Sequence, residues 1–314
     1  MHTLGRRIWV AGHRGMVGSA IVRRLATEDC EIVTACREQL DLRRQCEVED
    51  FIAGARPDII VVAAGTVGGI AANATRPADF ISDNLLIAAN IICAAHAAAV
   101  PRLLYLSSSC AYPKFVEQPI REEALLTGPL EPTNEAYAIA KIAGVQLVKA
   151  YRQQHARDYF AAVPTNLYGP RDCFDPERSH VLSALIRKAH AARVTGAPDL
   201  VLWGSGTPQR ELMHVDDCAD ALVHLLKHNR EHAVVNVGSG EEISIIELAR
   251  MVCDIVGYCG GITNDLTRPD GTPRKLLDCS RLREMGWKPR IGLRDGIAAT
   301  YRWYLQHHAG EEAA

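Results

Sequence analysis

Two hydrophobic periods alternate along the first half of the chain. Short continuous apolar runs occur at "RIWVAG" (7–12), "EIVTA" (31–35), "DIIVVAAG" (58–65) and "RLLYLSS" (102–108). Between them lie longer segments whose apolar residues recur every three to four positions: "MVGSAIVRRLAT" (16–27), "CEVEDFIAGA" (46–55), "ADFISDNLLIAANIICAAHAA" (78–98) and "EAYAIAKIAGVQLVKAYRQQ" (135–154). A strand that is apolar along its whole length must be covered on both faces. Alternation with helical segments therefore predicts a doubly wound parallel sheet of the Rossmann type. A further strand is expected within "YFAAVPTNLYGP" (159–170).

Beyond residue 170 the regularity weakens. Loops such as "GPRDCFDPERSH" (169–180) and "GSGTPQRELMH" (204–214) interrupt the helices, and "DDCADALVHLLKH" (216–228) with "AVVNVGSG" (233–240) reads as a return to the first lobe. The expected division is a dinucleotide-binding domain over 1–165 plus about 211–240. A smaller, discontinuous substrate lobe is expected over about 166–210 and 241–314.

The longest apolar stretch, "LLIAANIICAAHAAAV" (85–100), is short for a membrane span and is broken by Asn90 and His96, so a packed or dimer-face helix is expected. The opening "MHTLGRRIWVAGHRG" lacks the apolar core of a leader. A soluble, cytoplasmic protein is the expectation, with no membrane partner.

Composition narrows the function classes. The 314 residues are 48% hydrophobic and 23% charged, with a net charge of −2. No basic field is available to gather nucleic acid. Ten cysteines (30, 36, 46, 93, 110, 173, 218, 253, 259 and 279) include no C-x-x-C pair, which points to a reducing compartment without disulfides or structural zinc. His224, His228 and His232 recur at helical spacing, but Asn229 and Arg230 signal a helix end, so they read as a solvated face and no metal is expected.

Gly12-x-x-Gly15-x-x-Gly18 follows the first strand and opens the first helix. Glycines there permit a tight turn and close approach of a pyrophosphate to free N–H groups at the helix start, the requirement of a dinucleotide site. The second strand ends in "TACREQLDL", where Arg37 stands first and an acidic ribose ligand does not. With Arg14 in the glycine loop, two guanidinium groups suit a 2′-phosphate and favour NADP, although Glu38 opposes them. Asp41 is a candidate either to cap the next helix or to meet the adenine.

Tyr137-x-x-x-Lys141 places a phenol and an ammonium on one helical face. The cation should favour phenolate, allowing proton exchange with a carbonyl or alcohol oxygen near neutrality. Ser108, at the preceding strand end, can hydrogen-bond the same oxygen. Cys110 lies two residues further on. By spacing alone it reads as one more buried thiol, and His180 as a loop histidine.

At these residues the chain resembles the extended short-chain dehydrogenase/reductase family, and within it the bifunctional 3,5-epimerase–4-reductases of GDP-4-keto-6-deoxymannose. The resemblance spans nearly the whole chain. It rests on "AGHRGMVGSAI", "VGGIAAN", "SSSCAYPK", "LEPTNEAYAIAKIAG", "PTNLYGP", "SHVLSALIRK", "VLWGSGTPQRELMHVDD" and "PDGTPRKLLD". It implies a reductase triad of Ser108, Tyr137 and Lys141, with Cys110 as epimerising base and His180 as acid. NADPH is the implied cofactor. Its candidate contacts are His13, Arg14, Met16 and Val17 with the three glycines, Arg37, Asp41 and Leu42, Leu106, Ser107, Ser108 and Ser109, and Lys141, Pro164, Asn166, Leu167 and His180. Lys188, Trp203, Arg210 and Asp270 match positions that bind a GDP-sugar. The resemblance also implies a homodimer. One position departs: Thr66 stands in "GTVGGIAAN" where the resemblance leads to lysine.

The alternatives are other nucleotide-sugar enzymes on the same scaffold. A 4,6-dehydratase should carry a carboxylate pair after the strand-end serine, whereas this chain has "SSCAY". A 4-epimerase recycles bound NAD and does not need the Cys/His set. A colitose-forming relative differs only in taking a 3-deoxy substrate. A non-catalytic NADP-binding protein should have lost Tyr137 or Lys141, and both are present.

Overall fold

The computed structural model describes residues 5–308 apart from position 269. Residues 1–4 and 309–314, the ends of the two expected domains, lie outside the described residues. So does Pro269 in "PDGTPRKLLD".

The first half delivers the alternation read from the sequence. Strands β1 (Arg6–Ala11), β2 (Cys30–Val33), β3 (Ile59–Val62), β4 (Arg102–Leu106) and β5 (Asp158–Pro164) alternate with helices α1 (Met16–Leu25), α2 (Gln45–Ala55), α3 (Ile70–Thr75), α4 (Pro77–Ala97) and α5 (Glu135–His155). The short helix α3 has no counterpart in the sequence reading. The chain then forms β6 (Asn166–Tyr168), α6 (Val181–Thr195), β7 (Asp199–Trp203), β8 (Gln209–His214), α7 (Val215–His228) and β9 (Val234–Val237). Last come β10 (Glu242–Ser244), α8 (Ile245–Val256), β11 (Gly261–Asp265), β12 (Arg274–Lys275), α9 (Ser280–Glu284) and α10 (Leu293–His307).

Six strands form one sheet in the order β2-β1-β3-β4-β5-β9, every pair parallel. Strands β3 and β4 are buried at every position, as continuous apolar runs require. One face packs against α2, α4 and α5 through residues such as Ile52, Ile91 and Val148. The other packs against α1 and α7 through Ile21, Leu222 and Leu226. The chain reverses direction across the sheet at β1, whose neighbours are β2 and β3, so a crevice opens at their carboxyl ends.

"YFAAVPTNLYGP" holds two strands rather than one. β5 completes its place in the large sheet, and after Thr165 the chain leaves it as β6, which pairs with β8. β8 also pairs with β10 and β12, while β7 and β11 form a two-stranded ribbon. These pieces surround a third core built from α6, α8 and α10. The return to the large sheet begins with α7, since β8 belongs with the second lobe.

Helix α4 is long and apolar enough to cross a membrane by length and composition, yet half of that window is buried within the fold. Its asparagines are tied to backbone carbonyls: Asn84 donates to Phe80 O and Thr66 O, and Asn90 donates to Leu42 O. The ten cysteines are free thiols. Helix α7 ends at His228, with His224 and His228 stacked at 4.2 Å, so His232 lies outside the helix.

Candidate active site

The glycine loop shows why its residue types are required. Gly15 caps α1 without any side-chain hydrogen bond, leaving first-turn N–H groups to meet an anion. At Gly18 a Cβ would sit 2.1 Å from the carbonyl oxygen of Gly12, so only glycine lets helix and turn approach this closely. Beyond the turn, burial and then the charges of Arg14 and Arg171 push the His13 imidazole below its ordinary pKa. This concentration of positive charge suits phosphate. These features fit a dinucleotide.

At the far end, Arg14 pairs with Glu38 at 3.1 Å, both exposed. The opposition expected from Glu38 is therefore real, while Arg37 faces the cleft. Asp41 does not cap the next helix, because Arg44 takes that position. Arg43 grips the Asp41 carboxylate at 2.7–3.2 Å and holds it at about 2, well below the usual range. Arg43 also reaches Asp83 at 3.2 Å, and Thr66 donates its hydroxyl to Asp83 at 2.9 Å. Thr66 is thus part of a polar set with Asp83, Arg43 and Asp41 along the cleft wall.

The reductase residues come from two neighbouring elements. β4 ends at Leu106, and Ser107 continues its ladder to Ala162. Ser108 turns the chain by accepting the Cys110 N–H at 3.3 Å, which starts a single 3₁₀ turn and brings Cys110 round to the cleft. Helix α5 carries Tyr137 and Lys141 past this turn. Lys141 is only 5% exposed, donates to Leu106 O at 3.0 Å and lies 5.8 Å from the Tyr137 ring centroid. Burial lowers the lysine to about 8.

The phenol differs from expectation. Its pKa is raised, foremost by burial and then by Cys110 and Tyr105, with the Ser108 hydroxyl pulling it down. The Lys141 ammonium gives one of its three N–H donors to a backbone carbonyl. Desolvation is the dominant influence on the phenol, and Tyr137 is held as the neutral acid.

The epimerase residues come from opposite sides. Asn134, just before α5, donates to the Cys110 sulfur at 3.3 Å, and Lys275 on β12 approaches it at 3.8 Å. Neither residue was singled out from the sequence. Lys275 lies inside "PDGTPRKLLD", and its adjacency to Asp270 was the available signal. His180 caps α6 in extended conformation. Its ring is 47% exposed, because it faces the open cleft. The polar contact with Asp172 raises its pKa, against the opposing effect of burial.

The loop bearing His180 is strapped to the first lobe. Gly69 N–H donates to Arg178 O at 2.9 Å, and a Cβ at Gly69 would lie 2.6 Å from Ser179 O. Arg171 from the same loop donates to Arg14 O at 3.4 Å.

In the second lobe Trp203 is 53% exposed, with Lys188 Nζ and the Arg268 guanidinium each 4.8 Å from its ring centroid. Lys188 donates to Val201 O, and Arg210 to Gln209 O and Thr272 O. Asp270 accepts from Ser205 N–H at 2.9 Å. All of the sequence candidates except Gly18 line one cleft of about 1010 Å³, from His13, Met16 and Val17 through Leu42, Ser109, Pro164, Asn166 and Leu167 to the second-lobe residues. Gly18 stands behind the turn it closes.

A dinucleotide turn, a strand-end serine and a Tyr-x-x-x-Lys helix in one cleft define the class. The chain belongs to the NAD-dependent epimerase/dehydratase family, whose model matches residues 8–238. The chain is 57% identical over 305 residues to a GDP-L-fucose synthase of Sinorhizobium fredii, covering 97% of each. It is 50% identical over 312 residues to the GDP-L-fucose synthase of Escherichia coli, covering 96% of this chain and 97% of that one. Among solved structures, a GDP-L-fucose synthetase from Naegleria fowleri bound to NADP superposes with a TM-score of 0.89 at 26% identity, covering 98% of this chain and 96% of that one.

Proposed function

We propose that the chain converts GDP-4-keto-6-deoxy-D-mannose to GDP-L-fucose by epimerisation at C3 and C5 followed by NADPH-dependent reduction at C4. The observation that carries this reading is the convergence of Ser108, Cys110, Tyr137 and Lys141 from one lobe with His180 from the other on a single cleft. The names of the relatives support the substrate class.

The ketone acidifies the protons on both neighbouring carbons. Cys110 Sγ removes one of them, and the ring electrons move onto the carbonyl oxygen. Ser108 and the neutral Tyr137 hydrogen-bond that oxygen as it becomes an enolate. His180 returns a proton from the opposite face. NADPH, when bound, supplies the hydride for the carbonyl carbon. The glycine turn, His13 and Arg14 would hold its phosphates and Lys141 its ribose. Tyr137 then gives its proton to the oxygen, and the ammonium of Lys141 stabilises the phenolate that remains. Lys188 and Arg210 neutralise the sugar-nucleotide diphosphate, Trp203 packs against a ring, and Asp270 accepts from sugar or base donors.

The enzyme is read as a soluble, cytoplasmic homodimer with no nucleic-acid or membrane partner. The net charge of −2 offers no field for nucleic acid and the free thiols fit a reducing compartment, while the homodimer rests on the resemblance. The test is product identification by NMR after incubation with GDP-4-keto-6-deoxymannose and NADPH in D₂O. GDP-L-fucose with deuterium at C3 and C5 is expected. A folded, NADPH-binding protein that leaves the sugar unchanged would overturn the reading.

A further inference from the structure

Asp172 has no role in the chemistry so far. Its side chain is 4% exposed. Carboxylates are costly to bury without a cationic or strongly donating partner. Oδ1 accepts the Cys173 N–H at 2.7 Å, while Oδ2 is buried without a hydrogen-bond partner. Among the described residues, one basic side chain lies within 4 Å: His180, whose Nδ1 is 3.8 Å from Oδ1. The carboxylate is rigidly placed. Its backbone N–H is anchored to Gly169 O at 3.1 Å. The neighbouring Arg171 is directed elsewhere, onto Arg14 O.

We propose that Asp172 is a positioning residue for His180: its buried carboxylate, at ion-pair distance, draws the proton to Nδ1 and presents Nε2–H to the substrate carbon. The inference rests on the epimerase–reductase reading above. The two nitrogens sit on opposite edges of the imidazole, so fixing Nδ1 on the Asp172 side turns Nε2 away from it, and the ring's exposed part faces the cleft. Proton return then balances simply. The Nε2–H bond breaks, its proton forms the new C–H bond with the enolate's electron pair, and the C=O double bond is restored. The imidazolium becomes a neutral ring protonated at Nδ1, still held by Asp172, and regains its Nε2 proton from solvent. Without the carboxylate the neutral ring has no preferred tautomer, and the imidazolium loses its counter-charge.

The test is Asp172→Asn in the full chain, which keeps shape but removes the charge. Two quantities are read with GDP-4-keto-6-deoxymannose in D₂O: deuterium entering the recovered ketone, which reports proton removal, and inverted product. The ratio of inversion to exchange is expected to fall at least tenfold, with NADPH affinity and substrate KM within about twofold of wild type. Asp172→Glu should recover part of the ratio. Nitrogen-15 NMR of His180 is expected to show protonated Nδ1 in the wild-type protein and its loss in the variant. An unchanged ratio in folded Asp172→Asn would overturn the proposal, as would a parallel loss of inversion and NADPH binding. If the variant does not fold, an unprotonated Nδ1 in the wild-type protein at neutral pH is sufficient to overturn it. That NMR readout needs no turnover, so it separates failure of the pair from failure of the functional reading.

Discussion

The two chemistries drawn on one ketone are housed differently. The residues proposed for reduction sit on adjacent elements of one lobe, β4 and α5, where Lys141 is buried and bonded to the strand end. Those proposed for inversion come from separate lobes. Cys110 is flanked by β12 of the second lobe, and His180 rides on a loop after the chain has left the large sheet. The strands repeat the contrast. β3 and β4 are buried throughout, whereas β7 alternates, with Asp199, Val201 and Trp203 exposed and Leu200 and Leu202 inside. On the proposed reading, the hydride chemistry is framed within one lobe, and inversion depends on how two lobes meet.

The largest expected effects separate the two halves directly. Tyr137→Phe should lower ketone reduction by about 10²–10⁴-fold while deuterium exchange at C3 and C5 continues. Cys110→Ala should abolish that exchange and leave NADPH binding intact. Both are read by proton NMR in D₂O, and normal exchange in the cysteine variant would remove it as the base.

Next is the frame itself. Gly18→Ala forces a Cβ onto Gly12 O and should weaken NADPH binding by tenfold or more in fluorescence titration, with both chemistries failing together. Gly69→Ala displaces the backbone at Ser179 instead. It should reduce inversion several-fold while leaving NADPH affinity near wild type. Equal losses in cofactor binding and inversion would erase the distinction between the lobes.

A separate effect concerns stability. Lys141 sits at about 8 in the folded chain against about 10.4 when unfolded. Between those values the unfolded chain binds more protons, so stability should rise with pH by up to about 1.4 kcal/mol per unit. Buried thiols and phenols with raised pKa values, Cys218 and Tyr105 among them, work in the opposite direction, so the gain is read by urea unfolding at pH 7.5 and 9 as the difference between the wild-type protein and Lys141→Met. Lys141→Met should lack it.

The same contrast explains what the sequence revealed. The parallel sheet, the glycine turn and Tyr137 with Lys141 were legible because each depends on local period or spacing. The split of "YFAAVPTNLYGP" into β5 and β6 was not, since no residue in that run announces a change of sheet. Asp172, Asn134 and Lys275 escaped for a related reason. Their partners lie 8, 24 and 165 residues away, and only the tertiary fold brings them together. The phenol's direction was misjudged because spacing shows that Lys141 shares a face with Tyr137, but not that Leu106 O takes its hydrogen bond.

The tie between Gly69 and the backbone at Arg178 has a stereochemical consequence. If His180 serves inversion as proposed, an enzyme whose tie has slipped would reduce the ketone before its neighbours had been inverted. The escaping product would be a 6-deoxyhexose of the original configuration. On that reading, one backbone hydrogen bond beside a glycine guards the fidelity of the sugar that leaves the cleft.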